Sequence, residues 1–363
     1  MTRIVAPADT QLLDVRTRRG FGARFGRAAE FVITAPGRAN LIGEHTDYND
    51  GYVLPFALAR RTAIAVSPRE GRAVCFSSAL ARGDVEFSLD EPIVPRGEPA
   101  WGDYVRGVVA GCLSAGLDPG GFDAWVDSDV PVGAGLSSSA ALEVAAAGVV
   151  ERLAGASLAP LAKARLCQRA EHEFAGVPCG IMDQMASILA TTDDLLLLDC
   201  RDNSWRQVAL PGSEVEVVVV DSELPHDLGQ GEFALRVEQC REAARRLGVR
   251  SLRDATREQL SALAGYPVLQ RRAQHVVEEN ARVLAAVDAI RTNDWTHLGV
   301  LLDESHQSLR DLYEVSRPEM DDLAGSLRCA GALGARMTGG GFGGCAVALF
   351  RAGSRPERLF SGE

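Results

Sequence analysis

Residues 122–154 restrict the fold open to this chain more than any other stretch. FDAWVDSDV (122–130) alternates as a strand does, and SAALEVAAAGVVERLA (139–154) is an alanine-rich helix stopped by Gly155. Between them PVGAGLSSSA has to turn the chain within a few residues. Gly133 and Gly135 allow backbone conformations and close approaches that a side chain would block. Ser137, Ser138 and Ser139 fall at the helix start, where free N–H groups and the positive end of the dipole favour an anion. That order makes a phosphate cradle without the Walker lysine, since G-x-x-x-x-G-K-[ST] occurs nowhere in the sequence. The plainer alternative is a serine N-cap after a turn.

A second glycine run, MTGGGFGGCAVAL (337–349), formally contains G-x-G-x-x-G at Gly339, Gly341 and Gly344. A dinucleotide fingerprint needs a strand before it and a helix after it. Here a helix and a short extended piece come first and a strand follows. The run therefore reads as a glycine loop between two strands, packed close to a ligand or another backbone. This argues against a dinucleotide-dependent oxidoreductase. In a third segment, CGIMDQMAS (179–187), Asp183 lies among Ile181, Met182, Met185 and Ala186. A carboxylate there is costly unless it is paired or working, and a capping or salt-bridged Asp is the alternative. APGRANLIGEHTDY (35–48) places Arg38, Asn40, Glu44, His45, Thr46 and Asp47 within ten positions. Folding alone has little use for so many hydrogen-bonding groups. His172 has no metal-type spacing around it and reads as a packed helix histidine. Trp101 is either a platform for a base or a core residue leading into a helix.

Further strands are expected at 31–37, 62–68, 215–220 and 345–350, and further helices at 159–175, 233–247, 267–291, 296–312 and 318–333. Mixed elements without strict alternation indicate α+β architecture. A length of 363 residues allows two domains, and the polar stretch RDNSWRQVALPGS (201–213) reads as the joint between them. With 38 Lys and Arg against 49 Asp and Glu, the net charge of −11 disfavours nucleic acid or an anionic membrane as partner. Eight cysteines without a C-x-x-C pair read as reduced thiols, mostly buried. The first twenty residues lack a signal-peptide core, and no apolar run is long enough to cross a bilayer. A cytoplasmic protein is the expectation.

Taken together, the segments resemble a known family. APGRANLIGEHTDYNDGYVLP (35–55) resembles the galactokinase signature. GLSSSA (135–140) resembles the phosphate loop of the GHMP kinases (galactokinase, homoserine, mevalonate and phosphomevalonate kinases). TGGGFGGCA (338–346) resembles that superfamily's third motif, and the motifs stand in family order.

The resemblance implies two α/β domains, 1–200 and 201–363, with the active site in the cleft between them. It also implies a monomer acting on small molecules, ATP and a hexose, with Mg²⁺. Gly133, Ala134, Gly135, Leu136, Ser137, Ser138 and Ser139 would wrap the triphosphate, and Ser139 and Glu171 would hold the Mg²⁺. Asp183 would be the base for the sugar's C1 hydroxyl, with Arg38 as its partner. Glu44, His45 and Asp47 would hydrogen-bond the sugar, Thr46 would lie in the same segment, and Gly180 would let the backbone approach it.

One position departs from the family pattern. Galactokinases carry Tyr-x-x-Arg after the 215–220 strand, whereas GEFALRVEQC (231–240) has Phe233 there, followed by Arg236. N-acetylgalactosamine kinases look similar at that segment, but their first motif differs from HTDYND (45–50). Non-catalytic homologues that act as regulators have a damaged phosphate loop, and here it is intact. The resemblance thus implies a galactokinase, with N-acetylgalactosamine as the alternative sugar.

Overall fold

The computed structural model describes residues 3–4, 10–224 and 231–356. After strand β1 (Arg3–Ile4), helix α1 (Thr10–Phe25) leads to β2 (Phe31–Asn40), β3 (Tyr52–Val53) and β4 (Pro55–Pro68). Then come β5 (Ala73–Ser78), β6 (Val85–Ser88), helix α2 (Trp101–Ser114) and β7 (Phe122–Ser128). Five of these strands form one sheet in the order β2-β4-β7-β5-β6, antiparallel except for the β5–β7 pair. Helices α3 (Ser138–Ala154), α4 (Pro160–Glu173) and α5 (Met182–Leu189) follow. Ile64, Phe76 and Phe122 from the sheet share one core with Val105, Val149 and Leu166 from the helices.

Strands β8 (Asp194–Asp199) and β9 (Ser204–Ala209) pair as a hairpin, and β3 joins them on the far side of β8. Residues 204–209 of the polar 201–213 stretch are therefore a strand and not a loop. The chain continues through β10 (Val215–Asp221), α6 (Glu232–Leu247), α7 (Pro267–Arg291) and α8 (Trp295–Ser308). A π-helical turn (Leu309–Tyr313), α9 (Pro318–Cys329), β11 (Gly334–Thr338) and β12 (Cys345–Arg351) complete it. The last sheet runs β1-β10-β12-β11, all antiparallel. One core comes from residues between Val218 and Phe350. A third mixes Leu41, Leu54 and Leu197 with Val283, Leu298 and Leu302, so the two halves share apolar interior.

The helix expected over 318–333 stops at Cys329, because Gly331 turns to φ +99° and the chain must reverse into β11. The one expected over 296–312 divides after Ser308, where the π-helical turn begins. Strand β2 runs three residues past its expected end and carries Arg38 and Asn40 into the cleft region. At Gly37 it has no room for a side chain, since a Cβ would fall 2.7 Å from the carbonyl oxygen of Leu136. Arg38 N–H donates to that same oxygen at 3.1 Å, which holds β2 against the glycine-serine turn.

Candidate active site

The N-terminus of α3 is built as an open end. Ser137 sits in the left-handed region (φ +57°) at the N-cap, yet no side chain caps the helix. Its hydroxyl turns away and donates to Asp183. The free N–H groups of the first turn therefore face the cleft. Asp183 lies in the first turn of α5 and accepts from Arg38 Nε at 2.7 Å, while Arg38 Nη1 donates to Gly135 O at 2.7 Å. Three distant segments thus converge on one carboxylate.

Ser139 Oγ donates to Glu171 Oε1 at 3.2 Å. Gln184, fully buried, donates to Glu171 Oε2 at 2.8 Å and to Glu143 Oε2 at 3.1 Å. Burial raises the pKa of both Glu143 and Glu171, and the charge of Glu171 adds to the first shift as that of Asp183 adds to the second. Two carboxylates facing one amide form an oxygen-rich corner beside the glycine-serine turn that a cation would relieve.

The 339–344 glycine loop backs this turn. A Cβ on Gly339 would lie 2.6 Å from Gly135 O, and one on Gly344 would lie 2.8 Å from Ala134 O. The loop packs backbone on backbone, as its glycines require. Ala134 is buried on that side, whereas Gly133, Gly135, Leu136 and Ser137 to Ser139 line the cleft, whose volume is about 400 Å³.

The 44–47 segment sorts its polar groups between the cleft and the interior. Asp47 lines the cleft, and Gly180 lies directly against it: a Cβ there would fall 1.9 Å from Asp47 Oδ2. Burial, then the charge of Asp183, pushes the Asp47 pKa from 3.8 to about 7. Glu44 also borders the cleft, but its carboxylate already accepts from Asn40 Nδ2 (2.9 Å), Thr338 Oγ1 (3.1 Å), Gly339 N–H (3.0 Å) and the Arg336 guanidinium. Thr46 turns inward, where its hydroxyl bonds the carbonyls of Gly43 and Tyr52. It is fully buried and is absent from the cleft wall. His45, left-handed at φ +64°, bonds Tyr48 through Nδ1 at 2.8 Å. Phe233 lines the same wall, its ring centroid 5.9 Å from that of His45.

Sequence reasoning did not single out Tyr48, Tyr104, Glu143 or Gln184. The first two line the cleft, Gln184 braces Glu171, and Glu143 shares the same amide. Tyr48 stands inside the quoted signature and was the one within reach. Trp101 opens α2 and lines the cleft half-buried. His172 is exposed rather than packed, and its Nε2 meets the carbonyl of Cys179 at 2.8 Å.

The Asp47 shift has a measurable consequence. A raised folded pKa favours the native state fully below the unfolded value, and that benefit is lost as pH rises through about 7. Asp47→Asn removes the titration. The Tm of the variant relative to the parent is expected to rise by about 2 °C or more between pH 4 and pH 8. A difference that does not change with pH would contradict a burial-shifted Asp47.

Residues 19–68 match the galactokinase galactose-binding signature, 103–191 the GHMP kinases N terminal domain and 286–361 the GHMP kinases C terminal region. The sequence is 45% identical to a galactokinase of Bos taurus, over 94% of this chain and 89% of the relative. It is 43% identical to a galactokinase of Homo sapiens, over 99% and 93%. The structure superimposes on a Lactococcus lactis galactokinase complexed with galactose at TM-score 0.88 and 36% identity, covering 94% of this chain and 90% of that one. A mevalonate kinase at 18% identity and TM-score 0.65 shares the fold. With the signature, both kinase domains and near full-length relatives in agreement, the chain belongs to the galactokinase family of the GHMP kinases.

Proposed function

We propose that this chain transfers the γ-phosphoryl group of ATP to the C1 hydroxyl of D-galactose, giving galactose 1-phosphate and ADP. The observation that carries this reading is the convergence on Asp183 of Arg38, of Ser137 from the phosphate turn and of the sugar-side segment through Asp47. Asp183 accepts the C1 hydroxyl proton as the sugar oxygen attacks the γ-phosphorus. The bond from that phosphorus to the bridging oxygen breaks, and ADP leaves. Arg38 offsets charge on the transferring group, and the open N–H groups of α3 hold the phosphates. Most of the acceleration comes from alignment and charge cancellation, because the protein has little covalent chemistry to do in a loose transition state.

Ser139 and Glu171 suit Mg²⁺: both offer hard oxygen donors, 3.2 Å apart, at the cleft wall. When bound, the ion supplies neutralisation of the β- and γ-phosphate oxygens. Asp47 accepts from sugar hydroxyls, and Gly180 leaves the space for Asp47 to do so. Residues 1–200 and 201–363 form the two halves that flank this cleft, a division supported by the sheet cores on either side of it. All eight cysteines are unpaired and six are buried, which supports a cytoplasmic enzyme. No helix among the described residues is long and apolar enough to cross a membrane.

Release of ADP from ATP, galactose and Mg²⁺, followed by a coupled assay, tests the reading. Turnover should vanish with excess chelator, and no turnover with any hexose would overturn it.

Phe233 keeps N-acetylgalactosamine as the second sugar to examine, because the phenyl ring lacks a hydroxyl that could discriminate at that wall. Phe233→Tyr is expected to raise kcat/KM for galactose over N-acetylgalactosamine several-fold, the worth of one hydrogen bond. An unchanged ratio would mean that Phe233 only packs. A parent enzyme that prefers the acetylated sugar would reassign the substrate.

A further inference from the structure

Behind the sugar-side wall runs a buried chain of hydroxyl, thiol and imidazole groups that the proposed reaction does not use. Cys240 Sγ lies 3.0 Å from the hydroxyl of Tyr313, which lies 2.8 Å from the hydroxyl of Tyr48, itself 2.8 Å from His45 Nδ1. Tyr313 is fully buried at the end of the π-helical turn, its ring between those of His45 (4.6 Å) and His275 (4.5 Å). At the other end of the chain, His45 Nε2 is buried and has no partner among the described residues, although the residue lines the cleft. A buried polar atom without a partner is costly, and one at a cleft wall is available to a ligand.

We propose that Tyr313, acting through Tyr48, holds His45 as the Nε2–H tautomer, so that this histidine meets the sugar as a hydrogen-bond donor. The inference rests on the sugar-kinase reading for its ligand but not for its chemistry.

The direction of the chain follows from donor and acceptor strength. Burial first, and then the nearby guanidinium groups of Arg236 and Arg336, keep His45 neutral, so it carries one ring proton. A phenol O–H is a better donor than a thiol S–H, and an imidazole nitrogen is a better acceptor than sulfur. Running Cys240 to Tyr313 to Tyr48 to Nδ1 ends the chain on the strong acceptor. The reverse polarity would end it on sulfur, the weakest acceptor in the chain. His275 stands outside the chain: its Nε2 faces the carbonyl of Glu44 at 3.1 Å and its Nδ1 faces Ser308 Oγ at 2.8 Å. Next to the acceptor Asp47, a donor His45 gives the wall both polarities. It should therefore recognise a sugar oxygen by its lone pair.

Nitrogen-15 NMR of histidine-labelled protein reads the tautomer directly, with or without turnover. The full-length parent should show His45 protonated at Nε2, and Tyr313→Phe should shift it toward a mixture, because the Tyr48 hydroxyl then has no second partner. The same variant should lose roughly three- to tenfold in kcat/KM for galactose, mainly through KM. In a panel of deoxy- and deoxyfluoro-galactoses, one ring position should exist where fluorine, an acceptor only, recovers activity lost on deoxygenation. That recovery should disappear in Tyr48→Phe. A parent His45 protonated at Nδ1, or a tautomer unmoved by both Tyr48→Phe and Tyr313→Phe, would overturn the proposal even in an active galactokinase. An inactive parent with the Nε2–H tautomer would overturn the sugar assignment alone.

Discussion

Asp183→Asn is expected to lower kcat by about a hundredfold or more, read by ADP release at saturating galactose and ATP. The substitution keeps the volume and removes both the charge and the basic lone pair. Loss of a positioned base accounts for about 10²-fold at least, and loss of the charge facing Arg38 adds to it. Arg38 is almost fully buried and keeps its bond to Gly135 O, so the fold should survive with a lower Tm. Near-native kcat would remove Asp183 from the chemistry. Arg38→Lys should be damaging as well, because one ammonium cannot reach both Asp183 and Gly135 O in the plane a guanidinium provides.

Gly180→Ala should cut kcat/KM for galactose by about two orders of magnitude. The added methyl would meet Oδ2, Cγ and Cβ of Asp47 at 1.9, 2.2 and 2.8 Å. No rotation of the carboxylate alone clears three atoms, so Asp47 must leave its place. Displacing a positioning group by about 1 Å costs on the order of 10²-fold. The loss should fall chiefly on KM for the sugar, with KM for ATP near that of the parent. A variant that binds galactose normally would show that Asp47 is not a sugar ligand.

Much of this site was legible because its motifs are local. The glycine turn, the serines and α3 are consecutive, and the helix at 267–291 declares itself through Pro267 and its apolar period, with matching bounds. What stayed hidden depends on partners remote in the chain. Helix α1 carries Arg16, Arg18, Arg19 and Arg24 and little apolar periodicity. Arg16 is anchored instead on Asp127 and Asp129 of a strand region far downstream. The edge strands β6 and β9 are short and polar, so alternation gave no clear signal. The inward turn of Thr46 and the brace of Gln184 on Glu171 depend on tertiary placement, which residue type does not encode. Phe233 was legible only as a departure from a pattern.

The bonds around Glu44 bear on how the molecule comes apart. Its carboxylate, in the first half, is held by Arg336, Thr338 and Gly339 of the second, and Arg336 also donates to the carbonyls of Asn40 (3.3 Å) and Leu41 (3.0 Å). Pulling the halves apart would break all of these bonds at once and open to water the apolar interior that both halves share. Neither half has a low-energy way to exist without the other. Unfolding should therefore be a single cooperative event spanning both sheets, with one calorimetric endotherm, and expressing the two halves as separate fragments should yield material that folds only when they are mixed.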